Sequence, residues 1–155
     1  MLVFVCAVLA FETGFATRAI ADSPLLLSQP LPVRWRYESN VPLNLTPAFD
    51  KERIYLPLGG GTIVALTARD GALFWRSDMG GELSASPIAD ETAIYVASQT
   101  TGPPTEPRRT GGALRALGRE GGVTQWMTPL VTPLQGALAI GGGQIFCRRI
   151  QRRAF

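Results

Sequence analysis

Three tryptophans stand at regular intervals in this sequence, and no other feature limits its possible folds as much. Trp75 follows Trp35 by 40 residues, and Trp126 follows Trp75 by 51 residues. Upstream of Trp75, an alternating apolar run is followed by Asp70-Gly71 and a second short apolar run. Asp-Gly between two such runs is a strong signal for a β-hairpin, because glycine tolerates positive φ. A recurrence at about 20 to 50 residues is the signature of repeat folds, so the chain is predicted to be a repeat protein.

Other residues recur at matching distances from the tryptophans. A proline lies twelve residues after the first two, and an isoleucine–aromatic pair lies nineteen residues after all three. An alanine–leucine pair lies ten residues before the last two, and a turn with glycine lies five residues before them. These positions are Pro47 and Pro87; Ile54-Tyr55, Ile94-Tyr95 and Ile145-Phe146; Ala65-Leu66 and Ala116-Leu117; Asp70-Gly71 and Gly121-Gly122. The longer second interval is explained by one proline-rich insertion, residues 100–112, which we interpret as a tolerated surface loop or a partner-binding loop.

The pattern Ala-Leu-x-x-x-[Asp/Gly]-Gly-x-x-x-Trp, followed by Ser/Thr-Pro and Ile-Tyr, resembles the repeat of pyrroloquinoline-quinone (PQQ) enzymes. That family includes the quinoprotein alcohol dehydrogenases, the propeller component of the outer-membrane barrel-assembly machine and many exported proteins. The resemblance covers residues 33–147. It implies that each unit forms one four-stranded blade and that the tryptophan docks one blade against its neighbour.

The fold class predicted from these features is all-β, a partial β-propeller of two and a half to three four-stranded blades. The 17 glycines and 12 prolines suit an all-β chain with frequent turns. Propellers close with about four to eight blades. A chain of 155 residues with a 40-residue period therefore corresponds to part of a larger propeller, of seven or eight blades.

The two ends of the chain give separate predictions. Residues 1–21 contain an apolar run at 2–11 and an A-x-A site, which indicate a signal peptide, or alternatively an uncleaved anchor or a wrongly chosen start. The expected location is therefore periplasmic or extracellular, with no stable membrane span after cleavage. Residues 22–32 are predicted to be a linker or an edge strand. Residues 148–155 form a basic tail, which could attract polyanions or membranes but is better explained as a frameshift or truncation scar.

The residues that could carry chemistry all have structural explanations. The chain has no histidine, which excludes Ser-His-Asp and Cys-His machinery within it. Asp50 and Asp90 occupy equivalent repeat positions and are predicted to initiate turns. Cys147 follows an apolar run and is expected to be a buried, inert thiol. The sequence therefore assigns no catalytic, cofactor-binding or metal-binding residue, and the tryptophans are expected to pack between blades rather than to stack on a cofactor.

Two functions from different classes follow. The first is a non-catalytic, exported scaffold or protein-interaction module, whose partner is another protein or the remainder of its own propeller. The alternative is the N-terminal part of a PQQ-dependent dehydrogenase, for which PQQ and Ca²⁺ would be the cofactors. A non-functional truncated product is the third possibility. No nucleic-acid partner is predicted, because the basic residues cluster at one terminus instead of lining a face of the fold.

Overall fold

A computed structural model describes residues 32–101 and 110–147 of the chain. The predicted signal peptide, nearly all of the predicted linker, the centre of the proline-rich insertion and the basic tail lie outside these residues. The described residues from Val33 onward belong to one structural unit. They form ten β-strands and one short 3₁₀ turn, Gly59–Gly61. The predicted all-β class is confirmed.

The first sheet, which we name blade 1, contains four antiparallel strands in chain order. They are β1 (Ala48–Phe49), β2 (Arg53–Leu58), β3 (Thr62–Thr67) and β4 (Leu73–Asp78). Blade 2 repeats this arrangement. Its strands are β5 (Leu83–Ala89), β6 (Ala93–Thr101), β7 (Thr110–Gly118) and β8 (Thr124–Leu130). A further hairpin consists of β9 (Gly136–Gly141) and β10 (Gln144–Cys147).

The first strands of successive units lie next to one another. β5 pairs with β9 in parallel, through Ala85 with Gly136 and Ser86 with Ala137. The amide of Thr46, just before β1, donates a hydrogen bond to Oγ of Ser86 at 3.1 Å. Each sheet therefore joins its neighbour along its first strand and stacks on it by its face, which is the arrangement of a partial propeller with two complete blades and half of another.

A β-bulge precedes each tryptophan of the two complete blades. In blade 1, Ala65 pairs with Trp75 but Leu66 pairs with Leu73, so one extra residue lies on β4. Blade 2 has the same irregularity between the pairs of Ala116 and Leu117. The bulge increases the local twist. On the partner strand, the alanine of the repeat lies directly opposite the tryptophan, and its small side chain leaves room for the indole ring.

The core lies between the faces of the blades. Blade 1 contributes Tyr55, Ile63 and Ala65, which are fully buried, and the nearly buried ring of Trp75. Blade 2 contributes residues from its opposite face. They are Ile94, Val96 and Leu117. Side chains alternate between the two faces of a strand, so each blade offers one apolar face to the preceding blade and another to the following blade.

Two local predictions differ from the structure. Residues 33–37, from which the sequence predicts a first strand that carries Trp35, form no strand in the described part of the chain. Trp35 is held instead through its side chain, as described below. Cys147 ends β10 and is exposed, so the prediction of a buried thiol is wrong. The reason is that no further strand of the described part covers this end of the hairpin.

Candidate interaction surface

Each of the first two tryptophans docks onto the hairpin turn of the following blade. The indole N–H of Trp35 donates a hydrogen bond to the carbonyl oxygen of Ala68 at 3.0 Å, in the turn between β3 and β4 of blade 1. The indole N–H of Trp75 donates to the carbonyl oxygen of Arg119 at 2.7 Å, in the turn between β7 and β8 of blade 2. Each ring therefore has a polar anchor as well as a packing surface.

The glycine of the repeat is the surface on which the tryptophan lies. Gly71 and Gly122 have φ of 72° and 65°, which favour glycine on backbone grounds alone. A Cβ added to Gly71 would lie 2.6 Å from Cε3 of Trp35, and one added to Gly122 would lie 2.5 Å from Cε3 of Trp75. The sequence had predicted a turn at these glycines. The structure adds that the tryptophan of the preceding unit requires the absence of a side chain there.

Trp126 occupies the third position of this series and is much more exposed than Trp75. Its exposed fraction is 41%, whereas that of Trp75 is 8%. Its ring lies 6.0 Å from the ring of Tyr95, matching the 5.9 Å between Trp75 and Tyr55 in blade 1. Blade 2 therefore has the same aromatic pair as blade 1, but no hairpin turn of the described residues lies on it. We name the surface formed by Trp126, Tyr95 and the partly buried Leu114 the Trp126 face.

An aspartate and a tyrosine five residues later close the turn that begins the second strand of each blade. Oδ1 of Asp50 accepts the backbone N–H of Glu52 and of Arg53, and Oδ2 accepts the hydroxyl of Tyr55 at 2.8 Å. Asp90 binds the equivalent amides, and its Oδ2 accepts the hydroxyl of Tyr95 at 3.0 Å. The turn was predicted from the sequence. The tyrosine contact was not, although the constant spacing of five residues was a usable signal.

The third unit lacks both halves of this contact. Gly141 stands where the aspartate would be, and Phe146 stands where the tyrosine would be. A phenylalanine has no hydroxyl to donate, so a carboxylate at position 141 would lack this partner and could bind only the amides of the turn. The paired replacement supports the interpretation that aspartate and tyrosine act together.

Charged side chains join blade 1 to blade 2 at the turn end of the docking site. Arg119 of blade 2 binds Oδ2 of Asp50 at 2.7 Å, and both side chains are mostly buried. Arg53 of blade 1 binds both carboxylate oxygens of Glu120, at 3.0 and 2.9 Å. Burial acts to raise the pKa of Asp50, but bonds from backbone amides, Tyr55 and Arg119 outweigh it and hold that pKa below its ordinary value.

The remaining repeat residues lie within this framework. Pro47 precedes β1, and the buried Pro87 lies in β5 at an irregularity between the pairs of Ala85 and Ile88, where no ladder N–H is needed. Asp70 accepts the amide of Ala72 at 3.2 Å within the hairpin turn. Phe146 lies in β10 and is exposed. The structure brings most of the predicted residues to the joints between blades.

Among residues 32–101 and 110–147, no group of three potential metal ligands occurs. The carboxylates of Asp50 and Asp90 each accept hydrogen bonds from turn amides and from a tyrosine hydroxyl. The carboxylate of Asp50 also binds Arg119. Within the same residues, no helical stretch reaches the length and hydrophobicity that crossing a bilayer requires.

A family model described as outer membrane protein assembly factor BamB matches residues 32–126 and 59–154. The chain belongs to this family of PQQ-like propellers. No curated protein matches it by sequence.

Two solved structures share the fold. BamB from Moraxella catarrhalis is 18% identical, with a TM-score of 0.57, over 72% of this chain and 32% of that one. The quinohemoprotein alcohol dehydrogenase ADHIIG from Pseudomonas putida HK5 is 16% identical, also with a TM-score of 0.57, over 74% of this chain and 18% of that one. The chain thus spans about a third of the first relative and less than a fifth of the second. At these identities the similarity shows the fold alone.

Proposed function

We propose that this chain is a non-catalytic, exported propeller module that acts by binding protein segments. The observation that carries the proposal is the Trp126 face, whose tryptophan stays 41% exposed although Leu134 and Leu138 of the third unit pack beside Tyr95 and Leu114. The family model that matches is described by its role in outer membrane protein assembly, which supports a scaffold role and a periplasmic location. The apolar run at residues 2–11 supports export.

The blades themselves indicate what the Trp126 face binds. Trp35 and Trp75 each receive a β-hairpin whose turn offers a glycine under the ring and a carbonyl oxygen to the indole N–H. Trp126 has the same tyrosine neighbour and the same bulge before it, so it offers the same two interactions. The occupant is therefore a glycine-containing β-hairpin, supplied by another segment of the same propeller or by a partner protein.

Site-specific crosslinking in cells tests this proposal. A photoreactive phenylalanine analogue is placed at the exposed Thr128, which lies beside Trp126 on the same side of β8 and leaves the indole intact. A matched control carries it at Val131, which is 90% exposed but lies outside the Trp126 face. We expect crosslinks from position 128 that map to a glycine-containing hairpin, and no equivalent product from position 131.

Two results would contradict the proposal. One is the same set of crosslinks from both positions, since that would show a non-specific exposed surface. The other is dye reduction by the purified protein that depends on added PQQ and Ca²⁺, because such activity would assign the chain to the dehydrogenases.

A further inference from the structure

Blade 1 carries an open groove of about 540 Å³ that is separate from the Trp126 face. Its walls are the turn between β1 and β2, the turn between β3 and β4, and the segment before Trp35. Each wall contributes an exposed basic side chain: Lys51, Arg69 and Arg34, respectively. The volume falls within the ~300 to 1,000 Å³ that is typical of binding clefts.

One backbone hydrogen bond and one side-chain hydrogen bond fix these three walls to one another. The amide of Ala68 donates to the carbonyl oxygen of Glu52 at 2.7 Å, which joins the two turns. The indole of Trp35 donates to the carbonyl oxygen of the same Ala68 at 3.0 Å, which holds the neighbouring Arg34 beside them. The backbone of the groove is therefore preorganised, and ligand binding would not have to order it.

The floor of the groove is aromatic and is held in place by an arginine. The guanidinium of Arg53 lies 4.2 Å from the centre of the Phe74 ring, a cation–π contact. Both carboxylate oxygens of Glu120 bind the same guanidinium, so the charge of Arg53 is already neutralised. The ring of Phe74 remains 44% exposed. Arg53 thus positions an apolar surface instead of offering a free charge.

The charges that remain around the floor are mainly positive. Arg34 and Lys51 form no ion pair among the described residues. Arg69 contacts Asp70 at 3.3 Å, but both side chains are well exposed, and such pairs contribute little. Glu52 is the one acidic residue that lines the groove. A basic rim around an exposed aromatic ring favours a ligand that carries both negative charge and an apolar group.

We propose that this groove binds an acidic peptide segment in which an aromatic or aliphatic side chain lies between carboxylates. The carboxylates would bind Arg34, Lys51 and Arg69, and the apolar side chain would pack on Phe74. A polyphosphate could use the charges but would leave the ring unused. The groove shares no residue with the Trp126 face, so this inference and the proposed function can fail independently.

Fluorescence anisotropy with a labelled Asp-Glu-Phe-Glu-Asp peptide tests the inference on the full chain. We expect saturable binding that weakens as salt is added, because screening acts strongly on exposed charges. The double variant Arg34→Glu/Arg69→Glu should bind at least about tenfold more weakly. The control Arg36→Glu/Arg76→Glu makes the same change in net charge at exposed positions outside the groove and should bind as the wild type does.

Several outcomes would overturn the inference. Equal losses in both double variants would show that net charge alone attracts the peptide. Equal binding of Asp-Glu-Ser-Glu-Asp would show that Phe74 is not used. Binding of inorganic polyphosphate without binding of the peptide would assign the groove to another class of ligand, and no binding of either would leave it without a function as a site.

Discussion

Replacing Gly122 with alanine is the most direct test of the joint between blades. The residue has a φ of 65°, and an added Cβ would lie 2.5 Å from Cε3 of Trp75. Real Cβ atoms do not approach a ring so closely, so either the turn or the indole must move. A moved indole would weaken its 2.7 Å hydrogen bond to the carbonyl oxygen of Arg119.

The expected cost is the sum of three contributions. A left-handed conformation costs alanine about 1 to 2 kcal/mol. Forcing an extra carbon into a packed site costs about 1 to 3 kcal/mol. Loss of the indole hydrogen bond adds about 1 kcal/mol. We therefore expect Gly122→Ala to lower the free energy of unfolding by about 4 kcal/mol, a large fraction of the ~5 to 15 kcal/mol that is usual for a native protein.

Gly80→Ala is the matched control, since Gly80 has a φ of 68° and nothing lies within 4 Å of an added Cβ. It should show the conformational cost alone, about 1 to 2 kcal/mol. Both variants are compared with the wild type by urea unfolding followed by circular dichroism. If Gly122→Ala lowers the free energy of unfolding by no more than Gly80→Ala does, close packing of Trp75 on the turn is contradicted. A double variant that also carries Trp75→Ala should bring the cost of Gly122→Ala down to that of the control.

Three further predictions concern the polar contacts. The pKa of Asp50 is lower in the folded state than its ordinary value of 3.8, so the ionised carboxylate stabilises the fold fully above that value, and this stabilisation is lost as pH falls through the folded-state pKa. Asp50→Asn should therefore lower the free energy of unfolding by about 2 kcal/mol at neutral pH and remove the acid-dependent loss of stability. Urea unfolding at a series of pH values measures both effects. An unchanged pH profile would exclude the ion pair as the source of that loss. Tyr55→Phe removes a hydroxyl from Asp50 while Arg119 stays bound, so the same assay should show a loss of about 1 kcal/mol, and wild-type stability would contradict it. Gly141→Asp with Phe146→Tyr should rebuild the turn contact of the other units; a double-mutant cycle should give favourable coupling of about 1 kcal/mol, and additive effects would refute the pairing.

Much of the architecture could be predicted because its signals are local. The pattern around Trp75 marks a strand, a turn and a second strand within fifteen residues, and its recurrence identifies the units. The turns at Asp50 and Asp90 were predicted for the same reason, since an aspartate side chain binds amides only two or three residues away. The exposure of Cys147 was not predictable, because it depends on which strands cover β10.

The sequence by itself determined that this chain is all-β, that it is built from repeated blades, and that tryptophan and glycine recur in each one. Only the tertiary structure decided which residues meet. Trp75 lies on Gly122, Arg119 binds Asp50, and Arg53 is held between Phe74 and Glu120. The hydrogen bonds at these contacts join residues 44 positions apart for Trp75 and Arg119, 67 for Arg53 and Glu120, and 69 for Asp50 and Arg119. Contacts of this kind produce no recognisable spacing in the sequence. They form only when one twisted sheet stacks on the next and brings the end of a strand against a distant turn.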